Sequence, residues 1–172
     1  MNYLAHAFLS GREPEILVGN MMGDFVKGSS ILDRYPPKIR QGLELHRSID
    51  VFTDGHRATA KAKNYFRNDY GLYSGAFVDV MYDHFLSNDP KFFPQDEQLR
   101  GLHNRRYSGS FISTSFILPP DFAHMLQYME KDNWLYQIRS LKGLETGMNR
   151  LVRRMTYEHD GRKAYETTVR YY

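Results

Sequence analysis

Leu43-Glu44-Leu45-His46-Arg47-Ser48-Ile49-Asp50-Val51-Phe52-Thr53-Asp54 is a run in which apolar residues recur at helical rather than strand spacing. Pro36-Pro37 opens the pattern and supplies a helix start, and Ile39, Leu43, Ile49 and Phe52 are among its apolar positions. His46 and Asp50 stand four apart and so share a face, with Asp54 one turn further on. The same row runs back through Leu43 and Ile39, which makes it the row expected to look inward. A carboxylate turned inward is costly unless something positive or hydrogen-bonding meets it. A divalent cation is one such partner, since neutral imidazole and carboxylate oxygen are suitable ligands. A structural His–Asp hydrogen bond is another, and the isolated pair does not choose between them.

Helical patterning extends outward in both directions. Pro14, after Ser10-Gly11, predicts a helix over residues 14–27. Further helices are expected over 58–68, closed by Asp69-Tyr70-Gly71, and over 74–86, stopping before Asn88-Asp89-Pro90. Residues 95–118 are ambiguous: Leu99 and Leu102 have helical spacing, while 111–117 would also suit an extended segment. Helix is preferred, because a lone strand has no pairing partner. After Pro119-Pro120, Asp121 is expected to cap a helix to Lys131. Helical stretches over 134–154 and 157–171 follow, with an interruption near Gly143 or Gly147. No repeat, low-complexity tract or linker divides the chain. The expectation is one all-α domain over 1–172, a helical bundle of irregular connectivity.

A chain of 172 residues can bury a core without staples. The absence of cysteine excludes disulfides, thiolate-held zinc and a thiol nucleophile. Residues 1–10 have no basic n-region and carry His6 inside an apolar stretch, which argues against a secretory signal. No apolar run approaches the roughly 18 residues of a membrane span. The cytoplasm is the expected location. Residues 1–90 carry 10 Lys/Arg against 11 Asp/Glu, whereas residues 91–172 carry 13 against 9. An acidic first half and a basic second half suit a metal site beside an anion-attracting surface, and equally an ordinary solvated face.

The inward carboxylate recurs. Asp24 sits in Met21-Met22-Gly23-Asp24-Phe25-Val26, and Asp79, Asp83 and His84 interrupt the apolar run from Phe77 to Leu86. Any one of these would serve as a cap or a satisfied core group, yet several on separate stripes point to a shared site. His56, His103, His124 and His159 have no such setting and are read as surface or packing residues. Phosphate-cradling glycine loops, HExxH and nucleophile elbows are absent, and Ser108-Gly109-Ser110 reads as a turn.

With these residues in view, the chain resembles the acyl carrier protein phosphodiesterase family, a divergent branch of the HD-domain phosphohydrolases. The matching pieces are Met1-Asn2-Tyr3-Leu4-Ala5-His6, Gly19-Asn20 with Asp24-Phe25-Val26, His46-Arg47 with Ile49-Asp50 and Thr53-Asp54, and Asp79-Val80-Met81 with Asp83-His84-Phe85-Leu86. A weaker match runs through Leu118-Pro119-Pro120, Asn133-Trp134-Leu135 and Gly147-Met148 to about Arg154. Lys27 stands where the family pattern has arginine, keeping the charge without the bidentate fork.

The resemblance implies an HD-like helical fold and hydrolysis of the phosphodiester joining 4′-phosphopantetheine to a serine of holo-acyl carrier protein. Mn²⁺ or Mg²⁺ is the implied cofactor. Asp24, His46, Asp50 and Asp83 are the expected metal ligands. His84 and His6 are expected to assist proton transfer, Lys27 and Arg47 to balance phosphate charge, and Asp54 to orient a ligand. The basic second half, with Arg100, Arg139, Arg150 and Arg154 among its cations, is the expected docking side for an acidic carrier protein. Two alternatives carry less of the pattern: an HD-like hydrolase of another phosphoester such as a nucleotide, and a non-catalytic helical module binding an acidic protein or RNA. Oligomeric state is not legible.

Overall fold

The computed structural model describes residues 3–28, 30–96, 99–101, 115–155 and 160–171. Among them the chain forms nine α-helices, four short 3₁₀ turns and no strand. The helices are α1 (Tyr3–Leu9), α2 (Pro14–Met21), α3 (Pro37–Gly55), α4 (Arg57–Tyr70), α5 (Ser74–Asn88), α6 (Pro120–Lys131), α7 (Trp134–Gln137), α8 (Leu141–Val152) and α9 (Gly161–Arg170). None is long and apolar enough to cross a membrane. The all-α expectation holds, and most of residues 95–118 lie outside the described residues.

Two apolar clusters hold the helices. One gathers Leu4, Leu17, Met21, Ile39, Leu43 and Phe122 from α1, α2, α3 and α6. The other gathers Phe66, Phe77, Val78, Leu144 and Met148 from α4, α5 and α8. Phe77 stacks on Phe66 at 5.5 Å, and Tyr70 donates its hydroxyl to Asp160 O at 2.6 Å, tying α4 to the start of α9. Helix α5 packs on α1, α4 and α8, so it bridges the two cores.

α2 and α3 approach more closely than side chains allow. A Cβ on Gly19 would lie 2.1 Å from Ile39 O, and one on Gly42 would lie 2.3 Å from Ile16 O. Glycine at both positions lets the backbones touch, which carries residue 20 of α2 up to the His46 turn of α3. The inward row of α3 then climbs toward solvent. Ile39 and Leu43 are fully buried and His46 is 6% exposed, while the side chains of Asp50 and Asp54 are 45% and 67% exposed. A row of four-residue steps drifts around a helix of 3.6 residues per turn. His46 and Asp50 consequently stand at the rim of the core.

Several boundaries differ from the sequence expectations. Helix α2 ends at Met21, and Asp24 lies on a 3₁₀ turn, Gly23–Phe25, rather than within a helix reaching Lys27. Asp121 falls in the first turn of α6 and gives no side-chain cap; Pro119 is the capping position. The break after Trp134 comes between α7 and α8, not at Gly143 or Gly147: Ser140 caps α8 by accepting from Gly143 N at 2.9 Å. Gly143 is a close-approach residue, since its Cβ would meet Gln137 O at 1.7 Å. Phe52, one of the apolar positions of the α3 pattern, is 73% exposed.

Candidate metal centre

The site begins with one asparagine. Asn20, buried where α2 crosses α3, donates its amide to His6 O at 3.0 Å and to Ser10 Oγ at 2.9 Å. Its Oδ1 therefore faces the His6 ring, 2.7 Å from Nδ1, and its main-chain oxygen lies 2.8 Å from His46 Nδ1. An amide or main-chain oxygen only accepts, so each ring must carry its proton on Nδ1. Both histidines thus present Nε2 to the same space, stacked with centroids 4.2 Å apart and planes 17° apart.

Asp50 fills that space from one turn along α3. Its Oδ1 is 3.4 Å from His6 Nε2 and its Oδ2 is 3.2 Å from His46 Nε2. Asp24 brings a second carboxylate from the turn after α2, 3.5 Å from His46 Nε2. That turn can pass there because Gly23 has no side chain: a Cβ would sit 2.2 Å from the His46 ring. One donor atom each from His6, His46 and Asp50 falls within 4.8 Å of the others.

Neutral imidazoles and carboxylates in this arrangement are all acceptors pointing at one another. A proton, a hydrogen-bond donor or a cation has to sit among them. The ring of His46 shows the demand: burial would lower its pKa, yet hydrogen bonds to Asp24 and Asp50 raise it to about 9. Burial likewise works to raise both carboxylates, but the His46 hydrogen bond holds Asp24 below its usual value and Asp50 far below. A proton satisfies one ring at a time. The cluster is compatible with a divalent metal, whose charge would answer all four groups together.

The other expected site residues go elsewhere. Asp83 is buried and accepts from Leu4 N at 2.9 Å and Ala5 N at 3.0 Å, so it caps the start of α1 from α5. Burial lifts its pKa to about 7. His84 is also buried, with Nδ1 2.7 Å from Ile138 O, joining α5 to the turn after α7. The structure therefore does not bring Asp83 or His84 to the His6–His46–Asp50 cluster. Asp54 is exposed and paired with Lys63 at 2.6 Å. Lys27 is exposed three residues after Asp24, and Arg47 donates to Gly28 O at 2.9 Å. His56 caps α4 by accepting from Ala58 N, and His124 packs edge-on to Tyr128. His103 and His159 lie outside the described residues. Sequence reasoning missed the orienting role of Asn20, although Gly19-Asn20 is one of the matching family pieces and puts an amide in an apolar helix.

Comparison with known proteins points in one direction. A family model described as acyl carrier protein phosphodiesterase matches residues 1–172, including the tail beyond Arg154 where motif resemblance fades. A protein named acyl carrier protein phosphodiesterase from Salmonella agona is 32% identical over 157 residues, covering 90% of this chain and 79% of that protein. One of the same name from Salmonella paratyphi A is 31% identical over 155 residues, with the same coverage. No solved structure matches.

Proposed function

The chain belongs to the acyl carrier protein phosphodiesterase family, and from that premise we propose that it is a metal-dependent hydrolase of holo-acyl carrier protein. The bond cleaved joins 4′-phosphopantetheine to the carrier's serine, leaving the apo carrier. One observation carries the reading: four acceptor groups converge at the rim of the core, with both imidazole tautomers set by Asn20.

His6, His46 and Asp50 are the proposed ligands, with Asp24 completing the set from the solvent side. Two imidazoles among the donors favour Mn²⁺ over Mg²⁺, which prefers oxygen. Bound there, the ion supplies neutralisation of phosphoryl charge and a lowered pKa for an attacking water. The protein's own part is geometric. Asn20 holds two rings against rotation, Gly23 admits the Asp24 turn, and Asp83 anchors α1 so that His6 stays in place. Lys27 and Arg47 flank the Asp24 turn and are the proposed cations for the phosphate. His84, bonded to a main-chain oxygen, is assigned a structural role in place of proton transfer. A cytoplasmic location accords with the proposed substrate.

The test is direct. Purified protein is incubated with holo-acyl carrier protein and Mn²⁺, with a chelator control, and the carrier is weighed by mass spectrometry. Loss of the phosphopantetheine mass only when metal is present supports the reading. An unchanged carrier, with hydrolysis of a nucleotide phosphoester instead, would reassign the substrate. Inertness toward every phosphodiester would leave a binding module.

A further inference from the structure

A cavity of about 480 Å³ lies between the first turn of α1, α5, α7 and α8. That volume is in the range of small-ligand pockets, roughly 300–1,000 Å³, and too small for a protein helix with its side chains. Tyr3 and Asp83 line it, and both belong to or bond the first turn of α1, the helix that carries His6. Tyr3 stands three residues before His6, so both side chains leave α1 on neighbouring positions of one face. The Tyr3 hydroxyl donates to Met125 Sδ at 3.2 Å and is hydrogen-bonded with Arg154. Burial first, and then the charge of Asp24, raise its pKa, so the hydroxyl lies within electrostatic reach of Asp24. One turn of helix thus separates the cavity from the cluster.

The walls select a particular chemistry. Val80, Leu135, Ile138 and Leu151 give aliphatic surface, and Gly147 leaves room beside Val80 and Ile138. Asn133, Gln137 and Thr146 add amide and hydroxyl groups. The rim is cationic. Arg150 lies 3.9 Å over the Trp134 ring and reaches Asp132 at 3.0 Å, while Lys131 and Arg154 add further positive charge. The one carboxylate on the inner wall, Asp83, already accepts from two main-chain amides. An occupant should therefore be uncharged along its length, bear branched methyl and amide groups, and carry its anion at the Tyr3 end.

We infer that this cavity receives the pantetheine arm of the substrate, with the phosphodiester left at its Tyr3 end beside His6 and Asp24. The inference rests on the proposed substrate. The geminal methyls meet the aliphatic wall, the two amides meet Asn133, Gln137 and Thr146, and the phosphate lies between Arg154 and the metal cluster. Arm recognition then determines which phosphodiesters are cleaved, because binding energy gathered away from the reacting bond favours arm-bearing substrates.

Thr146→Trp and Gly147→Leu test the idea by filling the cavity. Thr146 is exposed and its hydroxyl bonds within its own helix turn, to Lys142 O, so a larger side chain is tolerated. With Mn²⁺ present, kcat and KM are measured on holo-acyl carrier protein and on bis(p-nitrophenyl) phosphate, which has no arm. Free pantetheine binding is followed by saturation-transfer NMR. The expected result is a fall of about tenfold or more in the preference for the carrier, entering through KM. Pantetheine saturation should appear with the wild type and vanish in Thr146→Trp. If the wild type cleaves the carrier but neither variant moves the preference or the saturation, the subsite is wrong and the reaction stands. If the wild type spares the carrier yet binds pantetheine in a way Thr146→Trp abolishes, the subsite stands and the reaction does not.

Discussion

Helices α3 and α5 each carry a histidine and acidic groups on an otherwise apolar surface, but the two sets end on different partners. On α3, His46 and Asp50 turn toward side chains from α1 and the Gly23–Phe25 turn. On α5, Asp83 and His84 turn toward main-chain groups of α1 and of the α7–α8 turn. The electrostatic outcomes are opposite. Burial opposes ionisation of Asp50, yet imidazole partners drive its pKa far down, whereas burial of Asp83 outweighs its two main-chain amides and lifts its pKa to about 7. Neighbouring charge wins in the first case and desolvation in the second. The α3 set is therefore compatible with a divalent metal, and the α5 set holds α1, and with it His6, in place.

Asp50→Asn puts the largest expected effect on this contrast. The change keeps shape and removes the charge that faces both rings. Metal-ion catalysis is worth several kcal/mol of transition-state stabilisation, so turnover should fall by about 10³-fold or more. Thermal melts should remain cooperative, and Mn²⁺ titration calorimetry should show weakened binding. A variant with near-normal turnover would remove α3 from the reaction.

Asp83→Ala should act on stability first. It strands two amides of α1 inside the protein, and an unsatisfied buried group costs about 1–3 kcal/mol. A loss of about 2–4 kcal/mol in urea unfolding is expected, with turnover of the folded fraction reduced far less than in Asp50→Asn. If Asp83→Ala instead abolished Mn²⁺ binding while leaving the unfolding midpoint unchanged, the division between the two helices would fail.

Asn20→Ala sharpens the contrast within the site. The side chain orients His6, whereas His46 is held by the Asn20 main-chain oxygen, which alanine retains. Only one ring is released. Loss of such an outer partner typically costs 10–100-fold in metal affinity, and the lower end of about tenfold is expected here. Calorimetry with Mn²⁺ reads it, and an unaltered affinity would show that His6 needs no orienting.

The contrast also marks how far sequence reasoning reaches. Proline starts and helical spacing give α2, α3, α5 and α6, because those signals are local. His46 and Asp50 share a face for the same reason. Three features required the folded chain. The partner of Asp83 is a pair of main-chain amides 79 and 78 residues away, and a main-chain donor leaves no mark in residue types. Gly143 looks like a helix breaker, yet it marks where α8 presses against Gln137 O. Asp24 reads as part of a longer α2, but the helix stops at Met21 so that a 3₁₀ turn can swing the carboxylate to His46. Close approach between distant segments decides each case.

A pH dependence separates the two helices by window, since both contributions fall as pH rises. In chelated protein, His46 has a folded pKa of about 9 against 6.5 for free imidazole. The stability it contributes is complete below 6.5 and is lost as pH rises through about 9. Asp83 has a folded pKa of about 7 against 3.8, so its contribution is complete below 3.8 and is lost as pH rises through about 7. Melting temperature should therefore decline in two stages, Asp83 governing the acidic one and His46 the alkaline one. A chain of this size loses about 2–4 °C per kcal/mol, so differential scanning fluorimetry in chelator resolves both. His46→Ala should flatten the decline above neutrality and spare the acidic stage, while Asp83→Asn should do the reverse. Bound Mn²⁺ should also abolish the alkaline stage alone, because at the proposed site it would take the face of His46 that the proton otherwise takes and would leave Asp83 untouched. A profile in which Mn²⁺ flattened both stages would mean that the two helices share one cation after all.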